Sequence, residues 1–539
     1  MQCDIAFANV AWLSVAKERY LMTESAVSHE PPEAHALDKG LKRNAIGYAS
    51  SVVIGVASTA PGYSLAAVLG LIVAIGGVGV HAPAVLVVSF VPMLLVALGY
   101  KYLNKADPDA GTTFSWATRA FGPVAGWMGG WAIIVADLIV MANLAQIAGL
   151  YTFLLLGVDE PSVAAVTAVG VAWIAVMTVI CVIGIEVNAR TQRWLLTAEI
   201  ATLAAFAVVA LVRVWTGDGP SGSAEPSLSW FSPFAIDSVG ALTSGLLIGV
   251  FIYWGWDSLV TVNEETEDAE TVPGRAAVLS TLILVGIYVI VSTAAIAFGG
   301  VKRLAGDESG DVLGLLAGDV FGSGTLGKVV IIAVLTSAAA STQTTILPTS
   351  RTALSMARAK AAPAALGRVH PRYLTPHVAT WIMGALSIAW YLGLTIVSQN
   401  ILMDSIAALG LMIAFYYGLT GFACVWYYRR ALTRSLRAFL LAGVAPAAGG
   451  AVLLFVFARS CIDLGRADAG SAAYFGIGSP LVIGVGFLLV GLVLMAIWRL
   501  AGHGEFFRRR PEAAEAGALA SDERAARAAD EPLPALAAG

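Results

Sequence analysis

Charge is what this chain has least of. Of 539 residues, 13% are Asp, Glu, Lys or Arg, against about 25% in a soluble globular protein. So few charges cannot wet a surface of this size, which excludes an ordinary soluble domain. The formal net charge of -4 is small and no basic stripe occurs, so nucleic acid is not an expected partner. Cysteine is also scarce. Cys181 and Cys424 sit inside apolar runs, and Cys3 and Cys461 are far apart in sequence. That excludes a disulfide framework and leaves free, small hydrophobes. No metal site and no cofactor is expected.

Residues 1–45 are polar and mixed, and they lack the basic start, apolar core and small-residue cleavage site of a signal peptide. They read as a tail, and Met22 is a second candidate start. Residues 502–539, rich in Ala, Glu and Arg, read as a second solvated tail.

What the chain has in abundance is apolar length. It is 58% hydrophobic, with mean hydropathy +0.79. Twelve runs reach the roughly 20 residues that cross a bilayer. They centre on 46–76, 83–103, 124–150, 162–185, 191–215, 238–263, 276–299, 326–350, 376–397, 404–428, 437–458 and 478–501. The implied fold class is an all-α polytopic membrane protein with 12 transmembrane helices. With the amino terminus placed in the cytoplasm, the cytoplasmic segments carry most of the Lys and Arg, including Lys101, Lys105, Arg119, Arg351, Arg358, Arg429 and Arg430. Only Arg213, Lys302, Arg303, Lys328, Arg459 and Arg466 fall outside. The bias predicts a multi-pass protein of the cell membrane with both termini cytoplasmic.

Two runs are interrupted. The first is apolar from Ile46 to Val80 but contains Ser58-Thr59-Ala60-Pro61-Gly62. Proline removes a donor and crowds the preceding turn, and glycine tolerates the backbone that results. The sixth carries Phe251, Tyr253, Trp254, Gly255, Trp256 and Asp257 in mid-run. Non-helical backbone at this depth is tolerated only where it is buried in protein or lines a cavity. The interruptions lie five runs apart. That spacing predicts two five-helix halves of inverted topology, 46–215 and 216–428, meeting at a midplane site. Runs 11 and 12 (429–501) fall outside the repeat and read as periphery or the surface of a homodimer.

Acids at depth are costly and must face protein or water. Asp137 in the third run and Glu199 in the fifth join Asp257 as candidates for proton or ion coupling. The eighth run is small and polar from Thr336 to Thr345. Its Ser341 and Thr342 are candidate cation ligands, or else close-packing residues against the first run. An unwound joint frees amide donors and carbonyl acceptors, which suits a zwitterion. The acidic stretch from Glu264 onward reads as a cap that pairs with arginines such as Arg358 or Arg372.

Three pieces of sequence resemble amino-acid permeases of the amino acid–polyamine–organocation superfamily. The first is Arg351, Met356-Ala357-Arg358, Pro363, His370-Pro371 and Thr375-Pro376. The second is Phe251 to Asp257 followed by Glu264-Glu265 and Pro273. The third is Gly111 with Phe121-Gly122-Pro123. The resemblance covers roughly 40–500. It implies a five-plus-five inverted-repeat fold with broken helices 1 and 6, and secondary transport of amino acids, proton-coupled or by exchange. By position it implies Phe251 as gate, Gly255 as unwound joint, Asp257 as the acid beside it and Ser58 to Gly62 as the first-helix substrate loop, with Trp254 and Trp256 nearby. The family's glycine-rich loop in helix 1 is here Ser58-Thr59-Ala60-Pro61-Gly62, which leaves the substrate open. Some relatives place a lysine in the fifth span, where this chain has Glu199, so proton and sodium both remain open as coupling ion. Polyamines or other organic amines are the alternative substrates. An intramembrane protease using Asp137 and Asp257 and a nutrient sensor are the rivals from other classes.

Overall fold

In a computed structural model, residues 39–158, 160–306, 311–322, 327–397 and 400–510 are described. The chain divides into two units, Met1–Gly40 and Leu41–Gly539. Only Lys39 and Gly40 of the first are among the described residues, and every helix named below belongs to the second. The expected tail 1–38 and the stretch 511–539 lie outside the described residues.

Apolar length becomes helix. Among the described residues, 11 helices are long and apolar enough to cross a membrane. The first expected run forms α1 (Tyr48–Ser58) and α2 (Pro61–Ala74). It is followed by α3 (Ala82–Ala106), a short amphipathic α4 (Thr113–Phe121), α5 (Pro123–Leu155), α6 (Val163–Ile183) and α7 (Ile185–Trp215). The sixth run differs from the expected span 238–263. Its helix α8 (Val239–Ile252) is only 14 residues long, and after a turn there follow α9 (Ser258–Thr261) and a single 3₁₀ turn, Asn263–Glu265. Then come α10 (Val272–Gly299), α11 (Val312–Phe321), α12 (Gly327–Arg358), α13 (His377–Val397) and α14 (Asn400–Tyr428). The eleventh run opens with a π-helical stretch, Phe439–Val444, before α15 (Ala445–Asp463). A two-residue hairpin, β1 (Ala473–Tyr474) with β2 (Ile477–Gly478), precedes α16 (Ser479–Leu500).

Burial sorts these helices. Across their apolar windows the first run is 89% buried and α12 78%, against 11% for α16. The small polar face of α12 is thereby explained: Ser337, Thr342, Gln343 and Thr344 are buried in protein and not turned to lipid. Gln343 accepts from Gln192 Nε2 at 2.7 Å, and the same amide donates to the Ala340 carbonyl at 2.9 Å, tying α7 to α12. Gly126 and Gly130 of α5 admit α4, since an added Cβ on Gly126 would meet the Phe114 carbonyl at 2.6 Å and one on Gly130 the Phe114 Cβ at 3.0 Å. Small residues allow this approach.

Segments 104–119, 263–270, 351–361 and 505–509 meet at one end of the bundle, called here the basic end. The reading of everything after Gly502 as a solvated tail needs correction there. Phe506 is 1% exposed and stacks on Phe114, with ring centroids 5.4 Å apart. Lys360 Nζ reaches both Glu505 carboxylate oxygens at 2.7 Å and holds that carboxyl below its usual range. One aromatic anchor in an Ala- and Arg-rich stretch is a weak sequence signal.

Candidate functional site

The first joint is short. α1 stops at Ser58. Ala60 then adopts a left-handed conformation (φ 47°, ψ 63°), and Pro61 opens α2. A non-glycine residue held there stores about 1–3 kcal/mol, so its surroundings must fix it. Helix ends leave amides without helical partners, and in an apolar setting each must be satisfied. The Thr59 N–H donates to the Val56 carbonyl and the Ala60 N–H to Ala57. Pro61 has no N–H. The Gly62 N–H donates to Glu199 Oε1 at 2.7 Å, and the Tyr63 N–H to Ser337 Oγ at 3.1 Å. The Ser64 N–H returns to the Ala60 carbonyl. Glu199 therefore sits at the joint itself, fully buried.

The second joint runs from Tyr253 to Asp257. Gly255 has φ +113°, and an added Cβ there would lie 2.7 Å from the Ser58 carbonyl oxygen and 3.2 Å from the Thr59 nitrogen. Backbone thus rests on backbone where the two interrupted runs cross, and only glycine permits both the angle and the approach. Hydroxyls seal the crossing. Ser58 Oγ donates to Ser258 Oγ at 2.7 Å, and Ser341 Oγ donates to the Ser58 carbonyl at 2.9 Å.

Asp257 is 3% exposed. Its Oδ1 accepts from Tyr417 Oη at 2.8 Å and its Oδ2 from Tyr416 Oη at 3.0 Å. Tyr416 in turn accepts from Trp254 Nε1. Two tyrosines of α14 thus orient the acid, and Trp256 packs beside Tyr417 and Tyr100, with centroids 5.2 and 5.0 Å away. Sequence reasoning missed Tyr416 and Tyr417. Two adjacent tyrosines in an apolar run are a faint polar signal, and nothing local links them to position 257.

Next to the crossing lies a cavity of about 10 Å³, about the room that one water needs and far below the roughly 300–1,000 Å³ of most small-molecule sites. The first run contributes Ser58, Thr59, Ala60, Tyr63 and Ser64, and α12 contributes Ser341. Val140 and Leu144 come from α5, Phe251 and Trp254 from the sixth run. Pro61, Gly62, Gly255, Trp256 and Asp257 do not line it. Thr342 is apart as well, its hydroxyl turned back to the Ala338 carbonyl of its own helix at 2.8 Å. Asp137 lies one and two helical turns before Val140 and Leu144, on the same face of α5. It is 4% exposed, and its Oδ2 has no hydrogen-bond partner. Glu199 Oε2 is likewise unpartnered.

At the basic end the acidic stretch is a lock. Glu265 pairs with Arg351, through Nε–Oε2 at 2.7 Å and Nη2–Oε1 at 3.0 Å, and both side chains are at most 1% exposed. Within the stretch expected to pair with arginines such as Arg358 or Arg372, the buried acid Glu265 takes Arg351. The fork geometry of Arg suits a carboxylate held without water. The Ala110 N–H donates to Glu264 Oε1 at 2.9 Å, and Asn263 Nδ2 donates to Asn104 Oδ1 at 2.8 Å. The strand-like segment before α1 joins in, with the Ala45 N–H donating to the Glu265 carbonyl at 2.8 Å and the Glu267 N–H to Ile46 at 2.9 Å.

A bundle of long apolar helices, with two interrupted runs crossing beside a small cavity, defines a multi-pass membrane protein. The chain belongs to the amino acid permease family, whose model matches residues 46–497. That family is one of transporters and not of enzymes. An uncharacterized transporter of Mycobacterium tuberculosis is 31% identical over 279 residues, covering 52% of this chain and 58% of that protein. The low-affinity putrescine importer PlaP of Escherichia coli is 24% identical, over 62% of this chain and 72% of its own length. The branched-chain amino acid permease BcaP of Bacillus subtilis is 24% identical, over 56% and 65%. The match to the mycobacterial relative thus spans less than two thirds of that protein.

Proposed function

We propose that the chain is a secondary transporter that carries a small amino acid or organic amine across the cell membrane by alternating access. The observation that carries this reading is the backbone contact of Gly255 with Ser58 and Thr59 beside the cavity. A joint packed this closely gives two helical arms a shared pivot, and a cavity at a pivot changes its exposure when the arms rock. The halves 46–215 and 216–428 are the moving units of this reading. The basic end is the cytoplasmic face, so that both termini lie inside, and the Glu265–Arg351 lock closes that face. The names of the two characterised relatives, one for putrescine and one for branched-chain amino acids, support a small nitrogenous solute without choosing between the classes.

Coupling falls to the acids. Asp137, with an oxygen lacking any partner, is the first candidate to hold a coupling ion, and Glu199 is the second. Asp257, with both oxygens held by tyrosines, is assigned to positioning the joint. The test is uptake by proteoliposomes of radiolabelled amino acids and amines under an inward proton gradient, an inward sodium gradient, or neither. The proton-coupled reading expects accumulation that collapses when the pH gradient is dissipated. Accumulation that follows sodium alone removes the proton assignment, and no uptake of any amine or amino acid removes transport itself.

A further inference from the structure

Two hollows away from the crossing share the short helix α4. The first, of about 380 Å³, is lined by Thr118, Arg119, Arg509 and Arg510 at the basic end. The second, of about 390 Å³, is lined by Phe121 of α4 and by Leu419, Phe422, Val425 and Trp426 of α14. Thr118 and Phe121 lie within one turn of α4, so the two hollows are neighbours. One is basic, and the other is walled by aliphatic and aromatic side chains alone.

The basic hollow is short of acids. Arg119 Nη2 lies 2.9 Å from Asp107 Oδ1, and Glu505 is taken by Lys360. Among the described residues, no carboxylate forms an ion pair with Arg508, Arg509 or Arg510. Arg509 is held by neutral groups. Its guanidinium carbon lies 5.4 Å from the Phe506 ring centroid, and its Nη2 donates to the Ala359 carbonyl at 3.4 Å. Phe506 is itself buried against Phe114 of α4. The three arginines thus follow a packed anchor and bring uncompensated positive charge to one place.

The apolar hollow opens outward. Phe121 is 37% and Trp426 49% exposed, with ring centroids 6.2 Å apart. Arg429 lies over the Trp426 ring at 4.7 Å. A tryptophan with an apolar body and a cation on its face suits the level of the lipid headgroups. In a chain that spans a membrane, hydrocarbon is what covers such a groove. An acyl chain lying there carries its phosphate toward Arg119, Arg509 and Arg510, and guanidinium forks suit phosphate oxygens.

We propose that the two hollows form one site for an anionic phospholipid, with its phosphate among Arg119, Arg509 and Arg510 and an acyl chain against Phe121, Phe422 and Trp426. A free phosphate would use the arginines and leave the groove idle, so the continuity of the two along α4 commits the site to a lipid. The proposal stands apart from the transport reading and needs only that the basic end lie at a membrane surface.

The test is quenching of tryptophan fluorescence in the full-length protein, reconstituted into vesicles that mix phosphatidylglycerol and phosphatidylcholine, one or the other brominated on its acyl chains. The protein has 14 tryptophans, and a Trp426→Phe protein measured alongside isolates the share of Trp426. Each arginine at a membrane surface favours an anionic lipid about fivefold. Phosphatidylglycerol should therefore be preferred about tenfold or more at Trp426, against near equality at the other tryptophans. Replacing the two exposed side chains together, Arg509→Ala with Arg510→Ala, should lower that preference about tenfold, while quenching by phosphatidylcholine in vesicles of that lipid alone stays unchanged as the sign of an intact fold. Inorganic phosphate, compared with sodium chloride at equal ionic strength, should leave the preference in place. Equal quenching by the two lipids reduces the groove to ordinary hydrocarbon contact and overturns the proposal. So does a preference that survives the double variant. A preference that inorganic phosphate abolishes gives the arginines to a free anion and overturns it as well.

Discussion

The sixth run carries two buried acids eight residues apart, and they are held in opposite ways. Glu265 meets a guanidinium, at 2.7 and 3.0 Å, and ties the run to the end of α12. Asp257 meets two neutral hydroxyls of α14, at 2.8 and 3.0 Å. The first is an ion pair without water, which is stable only while both partners stay in place. The second leaves the acid oriented with no fixed counter-charge. A clasp belongs where a face must stay shut until something opens it, and an oriented acid belongs where backbone must hold an unusual turn. An acid inside a membrane run is therefore not a site by virtue of being there. Its partners decide: Asp137 Oδ2 and Glu199 Oε2 lack them, where both oxygens of Asp257 have them.

This contrast can be broken in order of severity. Gly255→Leu forces a side chain into the Ser58 carbonyl at an angle that only glycine accepts, and proteoliposome uptake should fall to background. Arg351→Met strands a buried carboxylate and should cost about 3–5 kcal/mol, read as a lower melting temperature in detergent. The double variant Arg351→Met with Glu265→Leu should recover most of that loss, and a double variant as unstable as the single one would argue against the clasp. Glu199→Ala leaves the Gly62 N–H unpaired and should cost about 1–3 kcal/mol by the same measurement. Tyr417→Phe removes one of two hydrogen bonds to Asp257 and should cost about 1 kcal/mol, with uptake reduced but retained. Thr342→Val removes one buried hydrogen bond, should cost no more than about 1 kcal/mol and should leave uptake unaltered, because its hydroxyl serves only its own helix. A strong loss of uptake in that variant would make Thr342 a candidate ion ligand again.

The helices and both interruptions were legible in the sequence because each rests on local signals: apolar length, Pro61, and Gly255 between two tryptophans. The acids at depth were legible for the same reason, since a carboxyl among Val and Ile stands out. What was not legible depends on contacts across hundreds of residues. Nothing near position 257 announces Tyr416 and Tyr417, and nothing near position 62 announces that Glu199 will cap it from α7. The amide at Gly62 looked free because a sequence shows which donors a joint releases and not which side chain arrives to take them. The same blindness paired the acidic stretch with arginines in general and did not single out Arg351 for Glu265, and it hid Phe506 in a stretch whose composition is that of a solvated tail.

The proposed seat of the transported solute is the cavity beside the Gly255–Ser58 crossing. Its most direct test is labelling of Val140→Cys, in a background with the native cysteines replaced, by a small membrane-permeant thiol reagent during turnover. Saturating concentrations of a transported amine should slow labelling about tenfold, the degree of protection expected when one bound molecule fills the cavity about nine-tenths of the time. A labelling rate that the solute does not change, in protein that still transports it, would place the site elsewhere.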